Sequence, residues 1–131
     1  MKIDAHAIII DGDIDLLVET AKQFGSANAR QLTTSQIRNI FGEVRRIEMN
    51  WQQDTGPEAD QAYRQVALLE PKLAYQARRE RGQGVGELES VLRPCLEEIR
   101  KAPADQRRRY FGRFIDFFEA ILAYHRAAGG N

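Results

Sequence analysis

Apolar residues recur at helical spacing through most of the chain, and no segment shows the period of two that a half-buried strand requires. The clearest stripe runs through Ile37, Ile40, Phe41, Val44, Ile47 and Trp51, one continuous face over about four turns. Thr34 or Ser35 is the expected N-cap of this helix, and Asp54-Thr55-Gly56 its stop. Upstream, residues 1–12 have no helical period and carry the turn signal Asp11-Gly12. Asp13 then caps a first helix with Ile14, Leu17, Val18 and Ala21 on its inner face, ended by Gly25-Ser26. Downstream, Pro57 opens a third helix where its missing N–H does no harm, with Ala62, Val66, Leu69 and Leu73 inward. Pro71 falls inside that pattern and predicts a kink or break. Gly82, Gly84 and Gly86 predict a mobile connection. A fourth helix over residues 87–101 turns Leu88, Val91, Leu92, Leu96 and Ile99 inward, with Pro94 disturbing its middle, and Pro103 restarts the chain. In the last helix Phe111, Phe114, Ile115, Phe118, Ile121 and Leu122 form one stripe, and Tyr110, Phe117 and Tyr124 a second. Such aromatic density reads as core, and Gly129-Gly130 ends the element. The pattern predicts an all-α, compact bundle of about five helices, a single domain over residues 1–131 with an irregular segment at 1–12.

Length and composition narrow the function classes. A chain of 131 residues has room for one core. No apolar run approaches the ~18 residues of a membrane helix, and no basic stretch leads into an apolar leader. The lone Cys95, between Leu92 and Leu96, reads as a core thiol in a reducing compartment, which with the missing leader points to the cytoplasm. Metal ligation is not expected, because His6 and His125 are far apart and without cysteine neighbours. Asp11-Gly12-Asp13-Ile14-Asp15 begins like a calcium loop, but Leu16 stands where the loop needs glycine and Lys22 where it needs glutamate. There is no phosphate-cradling glycine loop and no strained turn hosting a nucleophilic serine. No catalytic residue and no cofactor is expected; the chain reads as a binding protein.

Charge supplies the one pattern with chemical content. The formal net charge is zero, but residues 1–29 carry −3 and the remainder +3, and 15 of the 19 cations are arginine. Arginine offers planar, bidentate contact to phosphate or carboxylate and stacks on bases. On the second helix Arg38, Gly42, Arg45 and Met49 lie within about 60° of one another, away from the apolar stripe, with Arg46 flanking. Gly42 costs about 1 kcal/mol against alanine there, which suits either close approach of a partner or close internal packing. Lys72, Arg78, Arg79 and Arg81 crowd around Tyr75, a cation group with an aromatic in it, which suits RNA phosphates and exposed bases. Arg107, Arg108, Arg109 and Arg113 form a third group, partly neutralised by Asp105, Asp116 and Glu119. The plainer alternative is that these arginines are solvated helix faces or internal ion pairs.

Three stretches, in order, carry a resemblance: Leu32-Thr33-Thr34-Ser35-Gln36-Ile37-Arg38; Pro71-Lys72-Leu73-Ala74-Tyr75-Gln76 followed by Arg79; and residues 114–126, which include Phe117-Phe118-Glu119-Ala120-Ile121-Leu122-Ala123-Tyr124-His125-Arg126. Together they resemble the small subunit of type III-A CRISPR effector (Csm-type) complexes over roughly residues 30–127. The resemblance implies a helical bundle without an active site. Several copies would stack along a crRNA-guided complex and line the channel that holds guide and target RNA, with cleavage done by other subunits. It implies target RNA, the crRNA-containing complex, other effector subunits and copies of the same chain as partners, and no membrane. Carried over by position, Arg38, Lys72, Tyr75 and Arg79 are the candidate RNA contacts. Arg45 and Arg46 join them on helix geometry and Arg78 on charge, with His125 and Arg126 as further candidates. One departure is Arg78, where the family commonly has glycine. The competing expectation is a purely structural helical subunit that binds protein neighbours and makes no direct RNA contact.

Overall fold

The five expected helices are α1 (Ile14–Ala27), α2 (Thr34–Asn50), α3 (Pro57–Arg79), α4 (Gly84–Lys101) and α5 (Arg107–Ala127), in a computed structural model that describes residues 1–80 and 82–130. A π-helical turn (His6–Ile10) precedes them and a 3-10 turn (Ala104–Gln106) leads into α5. Among the described residues there is no strand. The hub of the bundle is α5: α1 lies along it, α2 and α4 pack on it, and α3 packs chiefly on α4 and α2.

The aromatic stripe of α5 is the core, as expected. Phe111, Phe114, Phe117 and Phe118 are all buried. A file of rings runs from Trp51 through Phe111, Phe114 and Phe118 to Phe41, with centroids 5.1–6.2 Å apart in tilted, stacked and edge-on pairs. It seams α2 to α5 along most of α2. Cys95 is buried in α4, where burial pushes its thiol up and keeps it inert.

Several local expectations need correction. The segment at 1–12 is not irregular: Ile8 and Ile9 are fully buried in the π turn, and Arg113 Nη1 donates to the carbonyls of Ile9 at 3.0 Å and Ile10 at 2.8 Å. A single turn is too short to show a period, and its wide spacing is not that of an α-helix. Asp13 caps α1 as expected, accepting from the Leu16 N–H at 3.1 Å. Ile14, however, is 58% exposed, and Val18 is exposed too. The buried face is instead Leu17, Thr20, Ala21, Phe24 and Gly25. Gly25 sets that rotation, because a Cβ there would stand 2.8 Å from the His125 backbone nitrogen. The cap of α2 is Thr33, one residue before the expected pair, in a reciprocal box: its hydroxyl accepts from the Gln36 N–H at 3.1 Å, and the Gln36 side chain accepts from the Thr33 N–H at 3.0 Å.

Neither Pro71 nor Pro94 breaks its helix. Pro71 is exposed, so the carbonyl freed one turn earlier can meet water. The expected glycine connection shrinks as well, since α4 begins at Gly84. A Cβ on Gly84 would overlap the Gln31 carbonyl, so this glycine serves close packing of α4 on the α1–α2 loop and not mobility.

Candidate nucleic-acid interface

The cationic face of α2 starts at its capped end. Arg38 lies in the second turn, exposed, with no side-chain partner among the described residues. Two contacts from α5 fix that end of α2. The buried His125 donates from Nε2 to the Leu32 carbonyl, and Arg126 Nη1 donates to Thr34 Oγ1 at 3.3 Å. Of the two further candidates, His125 is thus engaged inside the fold, whereas Arg126 is exposed and touches α2 only through Thr34; both help to position the helix that carries Arg38.

Farther along, Arg45 is exposed and pairs with Glu48 at 2.6 Å, while Arg46 is exposed without a side-chain partner among the described residues. A Cβ on Gly42 would meet nothing within 4 Å, which rules out internal close packing as the reason for this glycine. The face of Arg38, Gly42, Arg45 and Met49 is thus open along its length, and Met49 is 70% exposed.

Helix α3 runs antiparallel beside α2. Lys72 Nζ donates to Glu43 Oε1 at 2.6 Å and so joins the two helices. Arg46 and Lys72 line one small cleft of about 140 Å³, with Glu43, Asn50 and Gln65. That register puts Arg38 level with the end of α3, where Arg78 and Arg79 are exposed. Tyr75 is 65% exposed, with the Arg79 guanidinium 5.8 Å from its ring centroid and Glu80 3.7 Å from Arg79. Lys72, Tyr75 and Arg79 share the outer face of α3; Arg78 projects about 100° away from Arg79. Arg81 lies outside the described residues.

The structure therefore gathers most of the sequence candidates on two adjacent helices. Of these, Lys72, Arg45 and Arg79 are paired with carboxylates at solvent-exposed sites. Such pairs contribute about 0–1 kcal/mol each, so a phosphate can displace the carboxylate at little cost. Sequence reasoning missed Glu43, which positions Lys72, and the carboxamides of Asn50 and Gln65 in the cleft. Their positions follow from the α2–α3 register, which no local pattern encodes.

The third basic group is mostly structural. Arg107 stacks 3.9 Å from the Tyr63 ring centroid, Arg108 Nε donates to the Trp51 carbonyl at 2.8 Å, and Arg113 holds the π turn. A cavity of about 460 Å³ lies beside this group, but Glu48 and Asp54 share it with Arg108 and Arg109, so its charge is mixed. Among the described residues no three His, Cys, Asp or Glu side chains gather where they could hold a metal. Asp13 is used as a cap and Asp11 lies 3.6 Å from His6. No helix among the described residues is long and apolar enough to cross a membrane.

A family model described as Csm2 Type III-A matches residues 11–131, so it covers nearly the whole chain, including every cation named above. No curated protein and no solved structure matches the chain.

Proposed function

The chain belongs to the Csm2 Type III-A family, the small subunit of the type III-A CRISPR effector, and from that premise we propose that it binds the backbone of the target RNA and guide–target duplex through α2 and α3. In this reading it is non-catalytic, works in the cytoplasm and stacks in several copies along the complex. The observation that carries the reading is the register of the two helices: Arg46 on α2 shares a cleft with Lys72 on α3, and Arg38 lies level with the end of α3 that carries Tyr75, Arg78 and Arg79, while Arg45 faces outward about 100° around α2 from Arg46. From Arg38 to Arg46 the rise is about 12 Å, enough to follow a short run of phosphates and no more. Base pairing with the guide supplies sequence discrimination, so backbone contacts suffice. Repetition along the complex turns weak single contacts into strong total binding. The zero net charge and the carboxylates beside Lys72, Arg45 and Arg79 keep the lone subunit a weak binder, on the order of micromolar or weaker.

The test is charge reversal at Arg38 and Arg79 in the reconstituted effector. Expected is normal assembly with target RNA affinity reduced about tenfold or more, and a shallower dependence on salt. Failure to assemble in the absence of target RNA would instead support the second reading, in which these arginines bind protein neighbours. The exposed Leu68 on the outer face of α3, an apolar residue between Arg64 and Lys72, is the observation that favours that second reading.

A further inference from the structure

Two exposed apolar strips have no partner within the fold, and they carry opposite charge. On α1, Ile14 and Val18 stand one turn apart, both exposed, and each is followed directly by an exposed carboxylate, Asp15 and Glu19. No lysine or arginine occurs between Lys2 and Lys22, and Lys22 closes the strip one turn beyond Val18. Arg113, the cation packed beneath Gly12, is taken up by the Ile9 and Ile10 carbonyls. On α3, Leu68 is half exposed, and Pro71 and Tyr75 are exposed one and two turns farther along the outer face. Arg64 and Lys72 flank Leu68 one turn to either side, and Arg78 and Arg79 follow Tyr75. These four cations stand against Glu43, Glu80 and, one turn below Arg64, Asp60, so the strip is net positive even with Lys72 and Arg79 paired. Asp15, Glu19, Arg64 and Arg78 make no ion pair among the described residues.

The strips match in length as well as in sign. Leu68 to Tyr75 rises about 10 Å, and Ile14 to Lys22 about 12 Å. They do not meet within one chain, because α1 packs on α5 and the π turn, whereas α3 packs chiefly on α4 and α2. With the hub helix between them, the two strips face different sides of the bundle, so a single neighbour does not cover both. Resting on the RNA reading above for its second half, we propose that in the free protein α1 of one copy docks head to tail on the outer face of α3 of the next, covering Lys72 and Tyr75, so that self-association and RNA binding exclude each other. Ile14 and Val18 bury against Leu68 and Tyr75, with Asp15 and Glu19 among the cations. Such a contact joins two different surfaces and repeats from copy to copy. It is small beside a stable interface, so it is weak and yields to RNA. RNA alone would use the cations but leaves Leu68 and the whole α1 strip without a purpose. Copies in an RNA-loaded effector then touch through other faces.

The test is sedimentation of the full chain over a range of concentrations. The weight-average mass should rise with concentration, pass that of a dimer, and fall as salt is raised. Asp15→Lys/Glu19→Lys and, separately, Arg64→Glu/Arg78→Glu, each checked for unchanged helicity by circular dichroism, should associate at least about tenfold more weakly, since like charges then face each other. Their equimolar mixture should associate again, because each reversed strip finds its complement on the other variant. Ile14→Ser/Val18→Ser, which changes no charge, should weaken association as well. A saturating short uridine RNA should return wild type to complexes of one chain each. Wild type that stays monomeric, or reversals that leave its mass unchanged, would overturn the proposal and assign the α1 strip to a different protein. Chains that stay associated while holding the short RNA would overturn the mutual exclusion and leave the backbone reading intact. Association through the two strips with no RNA binding at all would uphold the contact and overturn the backbone reading.

Discussion

Gly42 and Gly84 both lie within helices, and their surroundings are opposite. Around Gly42 there is open space, so Gly42→Ala should raise stability by about 0.5–1 kcal/mol in urea denaturation. At Gly84 the obstacle is backbone, the Gln31 carbonyl, which cannot swing aside as a side chain would. Gly84→Ala should therefore cost about 1–3 kcal/mol by the same measurement. If α2 meets an RNA backbone, Gly42→Leu will keep the fold and weaken RNA binding, a split between stability and affinity that alanine at the same site should show only faintly. The sequence could not tell these glycines apart, because the atoms that decide are far along the chain from Gly84 and absent from Gly42. The arginines follow the same logic. Arg38, Arg45 and Arg46 were legible as surface cations from helix geometry and Arg79 from its charge cluster around Tyr75, whereas the internal duties of Arg107, Arg108 and Arg113 depend on Tyr63, Trp51 and the π turn, which only the tertiary fold brings within reach.

Among the elements, α2 was the most legible and also the one whose cap was misplaced. Its long stripe showed its existence and inner face, but of three adjacent hydroxyl residues the expectation fell on Thr34 or Ser35 and passed over Thr33. Gln36 decides in favour of Thr33, because a capping box needs its partner three residues on. Thr34 is turned to Arg126 instead. Thr33→Ala should cost about 1 kcal/mol in thermal or urea unfolding. By fraying the turn that leads to Arg38 it should also lower RNA affinity without removing a charge. Expectations failed where an element had too few residues to display a period, as in the π turn, or where a breaker met a tolerant site, as at Pro71. For α1 the helix was right and so were Leu17 and Ala21 as inward residues, but Ile14 and Val18, inward by hydrophobicity, are exposed, and the buried face takes in Thr20 and Gly25 instead, with Gly25 close against the α5 backbone.

At the scale of the whole molecule, an all-helical bundle was readable because each helix repeats its pattern over several turns, while the pairing of helices was not readable. Pairing also shapes the response to pH. Burial holds the Glu70 carboxyl, between α3 and α4, above its usual range although Arg100 Nε is 2.6 Å away. Burial and then the neighbouring Glu119 raise Asp116 on α5. A folded-state pKa above the unfolded one means the native state binds the extra proton. The stability this confers is complete below the unfolded value near about 4 and is lost as pH rises through the folded value. Glu70→Gln with Asp116→Asn should therefore flatten the fall in Tm from about pH 4 toward neutrality, as read by melts across that range. The grip of Arg113 on Ile9 and Ile10 has a consequence for synthesis on the ribosome. The two carbonyls at the start of the chain find their donor only on the last helix, and α1 has α5 as its main packing surface. The π turn and α1 must therefore wait for their packing partner until α5 has left the exit tunnel. Nascent chains arrested before α5 emerges should be cut readily by protease within residues 1–27, and chains long enough to expose α5 should be protected there.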